Sequence, residues 1–378
     1  MQDSNIAVLA DTFMNKALKV QAGENVWIEF QGDLGKKLAD HYAAEVTAAK
    51  ANPVLVDTSA AQIDAFLQNI PADTSEDTLK AEGAERLSLM KTIDAYIRID
   101  DGDDQEKITA SDDIMSAYRK FTLKPMSNHR VNNTRWLVTS SPTPAFAKAC
   151  GMSYTDFETF YVSVCTADYP AMGEAVKPLQ KIMREGKSVH IKGQDTDLTF
   201  SIEGIDAVPC TGSHNIPDGE CFTAPVKDSI NGTIAFGPSK YLGSSFDSIT
   251  LTFKDGQIID AVAATPAQTK TLNTILDTDD GARYVGEFAI GFNPFVKNPI
   301  GDILFDEKID GSLHMAMGAC YDEASNGNGS AIHWDMVHIQ RPEYGGGEIW
   351  IDDTLIRKDG KFVVNALSGL NPEKLSPA

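Results

Sequence analysis

The segment from Gly286 to Val337, GEFAIGFNPFVKNPIGDILFDEKIDGSLHMAMGACYDEASNGNGSAIHWDMV, concentrates the side chains capable of chemistry. Between Glu287 and Asp335 it carries eight acids, two lysines and two histidines, His314 and His333. Imidazoles set among several carboxylates suit zinc, manganese, cobalt or iron(II), ions that accept nitrogen and oxygen donors together. His333-Trp334-Asp335 is the sharpest element of the pattern. On a strand, positions i and i+2 lie on one face, so this imidazole and this carboxylate can reach the same centre. Glu287 stands in an apolar run between Val285 and Phe288-Ala289-Ile290, where a carboxylate must face water or find a partner. Glu307 belongs to an Asp-Glu-Lys run that reads equally well as a solvated loop. Tyr321 is by default a boundary residue with an apolar ring and a wet hydroxyl. Each residue alone has such an ordinary reading; their joint density points to a metal site.

Two kinds of periodicity must position these groups. In the first half, Ile6, Leu9, Ala10, Phe13, Met14, Ala17 and Leu18 repeat at helix spacing until Gly23. Strand signals at 25–30, 53–57, 94–99 and 135–139 alternate with helical stretches at 34–46, 74–92 and 111–122, and a long helical region runs over 153–186. Such alternation predicts crossover units and a mostly parallel sheet covered by helices. From residue 188 the pattern turns to hairpins: two strands around Gln194-Asp195, a pair flanking the Asp255-Gly256 turn, and strands around Asp359-Gly360, with one helix at 266–277. The expected fold class is therefore α/β. An N-terminal α/β domain with a mostly parallel sheet spans 1–187, and a β-rich α+β domain carrying the metal site spans 188–378.

Composition narrows the partners. The 378 residues hold 54 acids against 33 bases, a net charge of −21, which argues against nucleic acid phosphates or anionic lipid as ligands. The charge is uneven: residues 1–187 carry −7 and residues 188–378 carry −14, so cation binding is expected in the second half. Neither a targeting signal nor a membrane-length apolar run is present, and the five scattered cysteines form no CxxC pair. A cytoplasmic protein is expected. Walker A, GxGxxG, GxSxG and HExxH motifs are absent, which removes the commonest nucleotide folds, serine hydrolases and zincins. The run Asp100-Asp101-Gly102-Asp103-Asp104 lacks calcium-loop spacing and reads as a solvated turn.

The sequence also resembles the thermophilic aminopeptidase family of dinuclear metallopeptidases, the aminopeptidase T and S group, over essentially its whole length. The resemblance rests on the stretch Leu18 to Val26, on Arg135-Trp136 followed by Ser141-Pro142-Thr143-Pro144, and on Asn215 to Pro225 (NIPDGECFTAP). It continues through Gly286-Glu287, through His314 followed by Gly318 and Tyr321, and through His333-x-Asp335. It implies two divalent metal ions (zinc, cobalt or manganese) held by Glu220, Glu287, His314, His333 and Asp335, one carboxylate bridging the pair. It further implies a catalytic glutamate shortly before the first histidine and a tyrosine seven residues after it. Tyr321 meets the second requirement. Glu307 is the candidate base, seven residues before His314 where the family spacing is five.

What the resemblance implies is a metallo-aminopeptidase releasing N-terminal residues from short peptides through a metal-bridged water, as a homodimer. Two other functions compete. The fold of non-haem iron(II) ring-cleaving dioxygenases is similar, and His314, His333 and Asp335 could form their two-histidine, one-carboxylate triad; Glu220 and Glu287 are then surplus. The third is a binding homologue without catalysis.

Overall fold

The computed structural model describes residues 1–70, 75–100 and 108–376. Of the acidic run beginning at Asp100, the residues from Asp101 on lie outside the described residues. The chain divides into two compact units, Met1–Thr166 with Gly212–Ile216, and Ala167–Thr211 with Pro217–Ala378.

The first unit is built on four parallel strands, β1 (Asn25–Phe30), β2 (Asn52–Asp57), β3 (Ala95–Asp100) and β4 (Arg135–Ser140), in the order β2-β1-β3-β4. Strand β1 is buried along nearly its whole length, as a parallel strand covered on both faces should be. The helix between β1 and β2, Gly32–Ala48, turns Leu38, Tyr42 and Val46 inward, the one-face spacing read in the sequence. Three helical expectations differ in detail. The first helix is an α-helix over Asp3–Ala10 that continues as a π-helix over Asp11–Ala17. The stretch at 111–122 becomes Asp112–Tyr118 followed by a π segment, Arg119–Leu123. The region 153–186 is three helices, Tyr154–Cys165, Tyr169–Ala175 and Lys177–Glu185. Asp168 caps the second of these by accepting from the Ala171 N–H, and Pro170 and Pro178 each sit in a first turn, where a missing N–H costs nothing.

The second unit contains two large antiparallel sheets and a two-stranded hairpin. One has eight strands in the order Gln257–Ala263, Ile249–Lys254, Asn231–Phe236, Thr196–Ser201, Ser188–Gly193, Gly347–Ile351, Thr354–Lys358, Lys361–Phe362. Its tight turns place Asp195, Asp255 and Asp359 at positive φ, which Asp tolerates better than most residues. The expected helix appears as Pro266–Leu276, capped by the Thr265 hydroxyl.

The other sheet positions the chemistry. Its strands are β5 (Val208–Cys210), β6 (Glu220–Thr223), β7 (Val285–Gly291), β8 (Ser312–Gly318) and β9 (His333–Ile339), in the order β9-β8-β7-β6-β5. Every residue of β7 and β8 is buried. One face is apolar core, where Phe288 meets Phe200 of the larger sheet edge-on at 5.1 Å between ring centroids. Full burial of such a side chain contributes roughly 1.5–3 kcal/mol. The opposite face carries the polar groups.

Candidate metal centre

Strand pairing explains why five residues spread from 220 to 335 share one face. Directly opposed residues of antiparallel strands project to the same side. Glu220 opposes Gly291 across β6 and β7, Ala289 opposes His314, and Glu287 opposes Ala316. Ala316 opposes Asp335 and Gly318 opposes His333 across β8 and β9. Glu220, Glu287, His314, His333 and Asp335 therefore all stand on the polar face. Small residues occupy the places between them, which leaves the charged side chains room to converge.

Two glycines make this geometry possible. The β7–β8 register shifts between Val285 and Glu287. At Gly286, within that bulge, a Cβ would lie 2.2 Å from the Ala319 carbonyl oxygen. The bulge turns Val285 to the core face while Glu287 keeps to the polar one. At Gly291 a Cβ would meet the carbonyl oxygens of Ile309 and Glu307 at 2.8 and 2.9 Å, so glycine is what lets the 307–309 segment lie against the sheet. Gly291→Ala is expected to push that segment outward, costing about 1–3 kcal/mol of stability as overpacking does. It should lower turnover more than metal content. Thermal unfolding and metal analysis of the variant check this.

The side chains converge closely. His314 Nε2 lies 3.5 Å from Glu287 Oε1 and 4.0 Å from Asp335 Oδ1, and His333 Nε2 lies 3.2 Å from Glu287 Oε2 and 3.4 Å from Asp335 Oδ1. Both rings hydrogen-bond a backbone carbonyl through Nδ1: His314 Nδ1 donates to the Glu307 carbonyl at 3.2 Å and also lies 3.5 Å from Glu220 Oε2, and His333 Nδ1 donates to the Ala319 carbonyl at 2.8 Å. Those bonds fix the ring orientation and leave each Nε2 directed at the carboxylates, the arrangement metal-binding histidines use. Glu220, Glu287 and His314 form one cluster whose ligand atoms lie within 4.8 Å of one another; Glu287, His333 and Asp335 form a second, and Glu307, His314 and Asp335 a third. Glu287 belongs to the first two.

Glu307 follows the short helix Ile303–Asp306. Its run is not a solvated loop: Lys308 is fully buried, with its ammonium on Glu220 Oε1 and Glu307 Oε1 and 3.8 Å from Asp218 Oδ1. Sequence reasoning did not assign Lys308 or Asp218 to the site. The available signal was the apolar setting of Lys308, between Ile303-Leu304-Phe305 and Ile309. Tyr321 lies at the rim, 47% exposed, its ring 4.7 Å from that of His333 and 5.6 Å from that of Phe222.

The electrostatics follow from this crowding. Burial pulls the pKa of His314 down, but Glu220, Glu287 and Asp335 overcome it and raise the value to about 10. Burial likewise opposes protonation of His333, and the facing carboxylates of Asp335 and Glu287 lift it to about 11. Burial favours the neutral form of Glu287, yet the two imidazoles beside its oxygens hold it down at about 2. Glu220 is pushed up to about 8 by burial, against the pull of Lys308. Burial also raises Glu307, with Lys308 opposing. Tyr321 is raised, first by burial and then by the surrounding carboxylates, so its phenol keeps its proton.

The residues fit a cation. Glu220 Oε2, His333 Nε2 and Asp335 Oδ1 are buried and have no hydrogen-bond partner among the described residues. Each such orphan costs about 1–3 kcal/mol, which a bound ion would relieve. With both imidazoles neutral, as metal ligation requires, five carboxylates (Asp218, Glu220, Glu287, Glu307 and Asp335) face the one ammonium of Lys308, so the site calls for added positive charge. Nitrogen and oxygen donors of this kind suit borderline divalent metals.

The chain belongs to the thermophilic metalloprotease family M29, whose sequence model matches residues 2–362. It is 36% identical to Aminopeptidase 2 of Geobacillus stearothermophilus over 169 residues, a stretch covering 39% of this chain and 37% of that relative. The structure of wild-type AmpT from Thermus thermophilus superimposes with a TM-score of 0.76 at 19% identity, covering 96% of this chain and 100% of that one. The 2,5-dihydroxypyridine dioxygenase of Pseudomonas putida KT2440 shares the fold at a TM-score of 0.64 and 14% identity, over 97% of this chain and 99% of that one. The expected α/β class with a β-rich second half is thereby matched at the level of fold.

Proposed function

We propose that the protein is a metal-dependent aminopeptidase that removes N-terminal residues from short peptides. The observation that carries this reading is the sharing of Glu287 between two ligand clusters, with Glu307 beside them. Membership of a metalloprotease family and likeness to a named aminopeptidase support it. Glu220, Glu287 and His314 would hold one divalent ion, and Glu287, His333 and Asp335 a second, with Glu287 common to both. Zinc, cobalt or manganese fits the donors. Ions bound there supply the positive charge that polarises a carbonyl and acidifies water.

The chain's own groups do the rest. Glu307, its carboxyl raised by burial, takes a proton from the attacking water and passes it to the departing amine. Tyr321, held protonated at the rim, donates a hydrogen bond to the oxyanion as charge develops on it. Lys308 fixes Glu307 and Glu220 and offsets part of their charge. The free N-terminus of the substrate, a cation, is drawn to the same carboxylates. We place the protein in the cytoplasm, where its five free cysteines stay reduced, and expect it to work as a homodimer.

A screen of aminoacyl amides with metal analysis tests the reading. Hydrolysis should vanish with chelator and return with Zn²⁺, Co²⁺ or Mn²⁺. One iron per chain without amide hydrolysis would favour ring-cleaving oxygenation instead.

Metal uptake should also release protons. At pH 7 the metal-free imidazoles of His314 and His333 are protonated, and each Nε2 must lose its proton to bind an ion. Close to two protons per chain should leave, with a further part from Glu220, whose pKa is about 8. Affinity therefore rises with pH. In the metal-free chain the sign reverses. The raised histidine values stabilise the fold below 6.5, and that contribution is lost as pH climbs through about 10 to 11. Calorimetry in buffers of different ionisation enthalpy counts the protons; a count of zero would overturn this account.

A further inference from the structure

A cavity of about 700 Å³ adjoins the carboxylate cluster, and Asp335 is part of both. Val337, two residues along β9 on the same face, continues its wall. Phe236, Phe246, Ile303 and Ile309 supply further apolar lining. The outer wall is a small hairpin, Ser239–Tyr241 paired with Ser244–Phe246. This hairpin is anchored on Trp334, the residue between His333 and Asp335: Tyr241 stacks on the indole at 5.0 Å, and the indole N–H donates to Ser239 Oγ at 3.0 Å. The wall is thus held in register with two of the candidate ligands.

Charge around the cavity has one dominant sign. Asp195, Asp247, Asp302, Asp306 and Asp335 line it, against the single ammonium of Lys240. Two of these carboxylates are held in place: Asp247 accepts from Gln268 Nε2 at 2.9 Å, and Asp302 from the Leu304 N–H at 3.0 Å.

We propose that this cavity is the subsite for the part of the peptide beyond the scissile bond, and that it selects apolar residues there and disfavours acidic ones. The inference rests on the aminopeptidase reading. Its logic is one of room. An enzyme acting at the N-terminus has a single residue on the amine side of the bond it cuts, and all the others on the far side. A space within the range of about 300–1,000 Å³ that accommodates drug-sized ligands is too large for one side chain and fits several residues. Apolar walls reward apolar side chains by burial, and like-charge contact penalises Asp or Glu.

The test is a length and sequence series on the metal-loaded enzyme: leucyl amide, then Leu-Leu, Leu-Leu-Leu and Leu-Leu-Leu-Leu, with Leu-Glu-Leu-Leu alongside. Binding energy from the remote residues should raise kcat/KM about tenfold or more from the amide to the tetrapeptide, and glutamate should remove most of that gain. Ser245→Trp, which places an indole in the cavity from the hairpin, should lower the ratio of tetrapeptide to amide activity about fivefold or more. Equal kcat/KM along the wild-type series would overturn the inference while amide hydrolysis upheld the aminopeptidase. A length gain unchanged in Ser245→Trp would overturn it too. Absence of hydrolysis on every substrate would overturn both.

Discussion

Glu287→Gln is expected to abolish binding of divalent metal and to lower aminopeptidase kcat/KM by about 10³-fold or more, equivalent to several kcal/mol of lost transition-state stabilisation. The residue is 4% exposed and ionised, its charge held by two imidazoles, one beside each carboxylate oxygen. An amide fills the same volume but carries no charge, so both clusters that share this side chain lose their common anion. The loss should therefore affect metal at either position, unlike substitution of Glu220 or Asp335, which each belong to one of those two clusters. The shape is conserved, and the sheet core on the opposite face of β7 is untouched. At neutral pH the chelator-treated variant should nevertheless unfold at a lower temperature than chelator-treated wild type, because the imidazoliums of His314 and His333 lose their shared buried counter-ion. Elemental analysis together with amide hydrolysis decides the matter: two ions bound and normal turnover in the variant would remove Glu287 from the site.

Glu307→Gln should separate the proposed base from the proposed ligands. General-base catalysis contributes about 10²–10⁴-fold, and a fall in kcat of that size with unchanged metal content is the expected result. The geometry supports the distinction. Glu307 engages Lys308 through Oε1, and its backbone carbonyl accepts from His314, a contact that glutamine retains. His314 should thus keep its orientation while the proton acceptor is lost. If metal content fell in parallel with kcat, Glu307 would be a ligand rather than a base.

Parts of this arrangement were legible in the sequence because they depend on local periodicity. His333-x-Asp335 places two side chains on one strand face by the alternation of the backbone alone, and β9 does so. The parallel sheet of the first unit followed from strand and helix signals of crossover length. The convergence of Glu220 with Glu287 and His314 was not readable from spacing. It depends on which strands are neighbours, and the order β9-β8-β7-β6-β5 is a matter of long-range pairing. The resemblance to a family supplied those residues where periodicity could not. Lys308 escaped notice because a lysine beside two acids is usually solvated; only the tertiary burial of its run makes it part of the site. The division of the 153–186 region into three helices was signalled by Asp168, Pro170 and Pro178, which a reading by hydrophobic spacing passes over.

The sheet that gathers the candidate ligands also sets when a metal centre built from them could exist. Its five metal-binding candidates come from four strands, and Glu220 and Asp335 are 115 positions apart in the chain. Pairings of such sequence separation close late, because the loop entropy must be spent before the contacts form. A cation bound by these side chains stabilises interactions absent from an early transition state. It therefore acts mainly on the rate of unfolding rather than the rate of folding. The metal would serve as a latch on a finished β-structure, prolonging the lifetime of the native chain without hastening its formation.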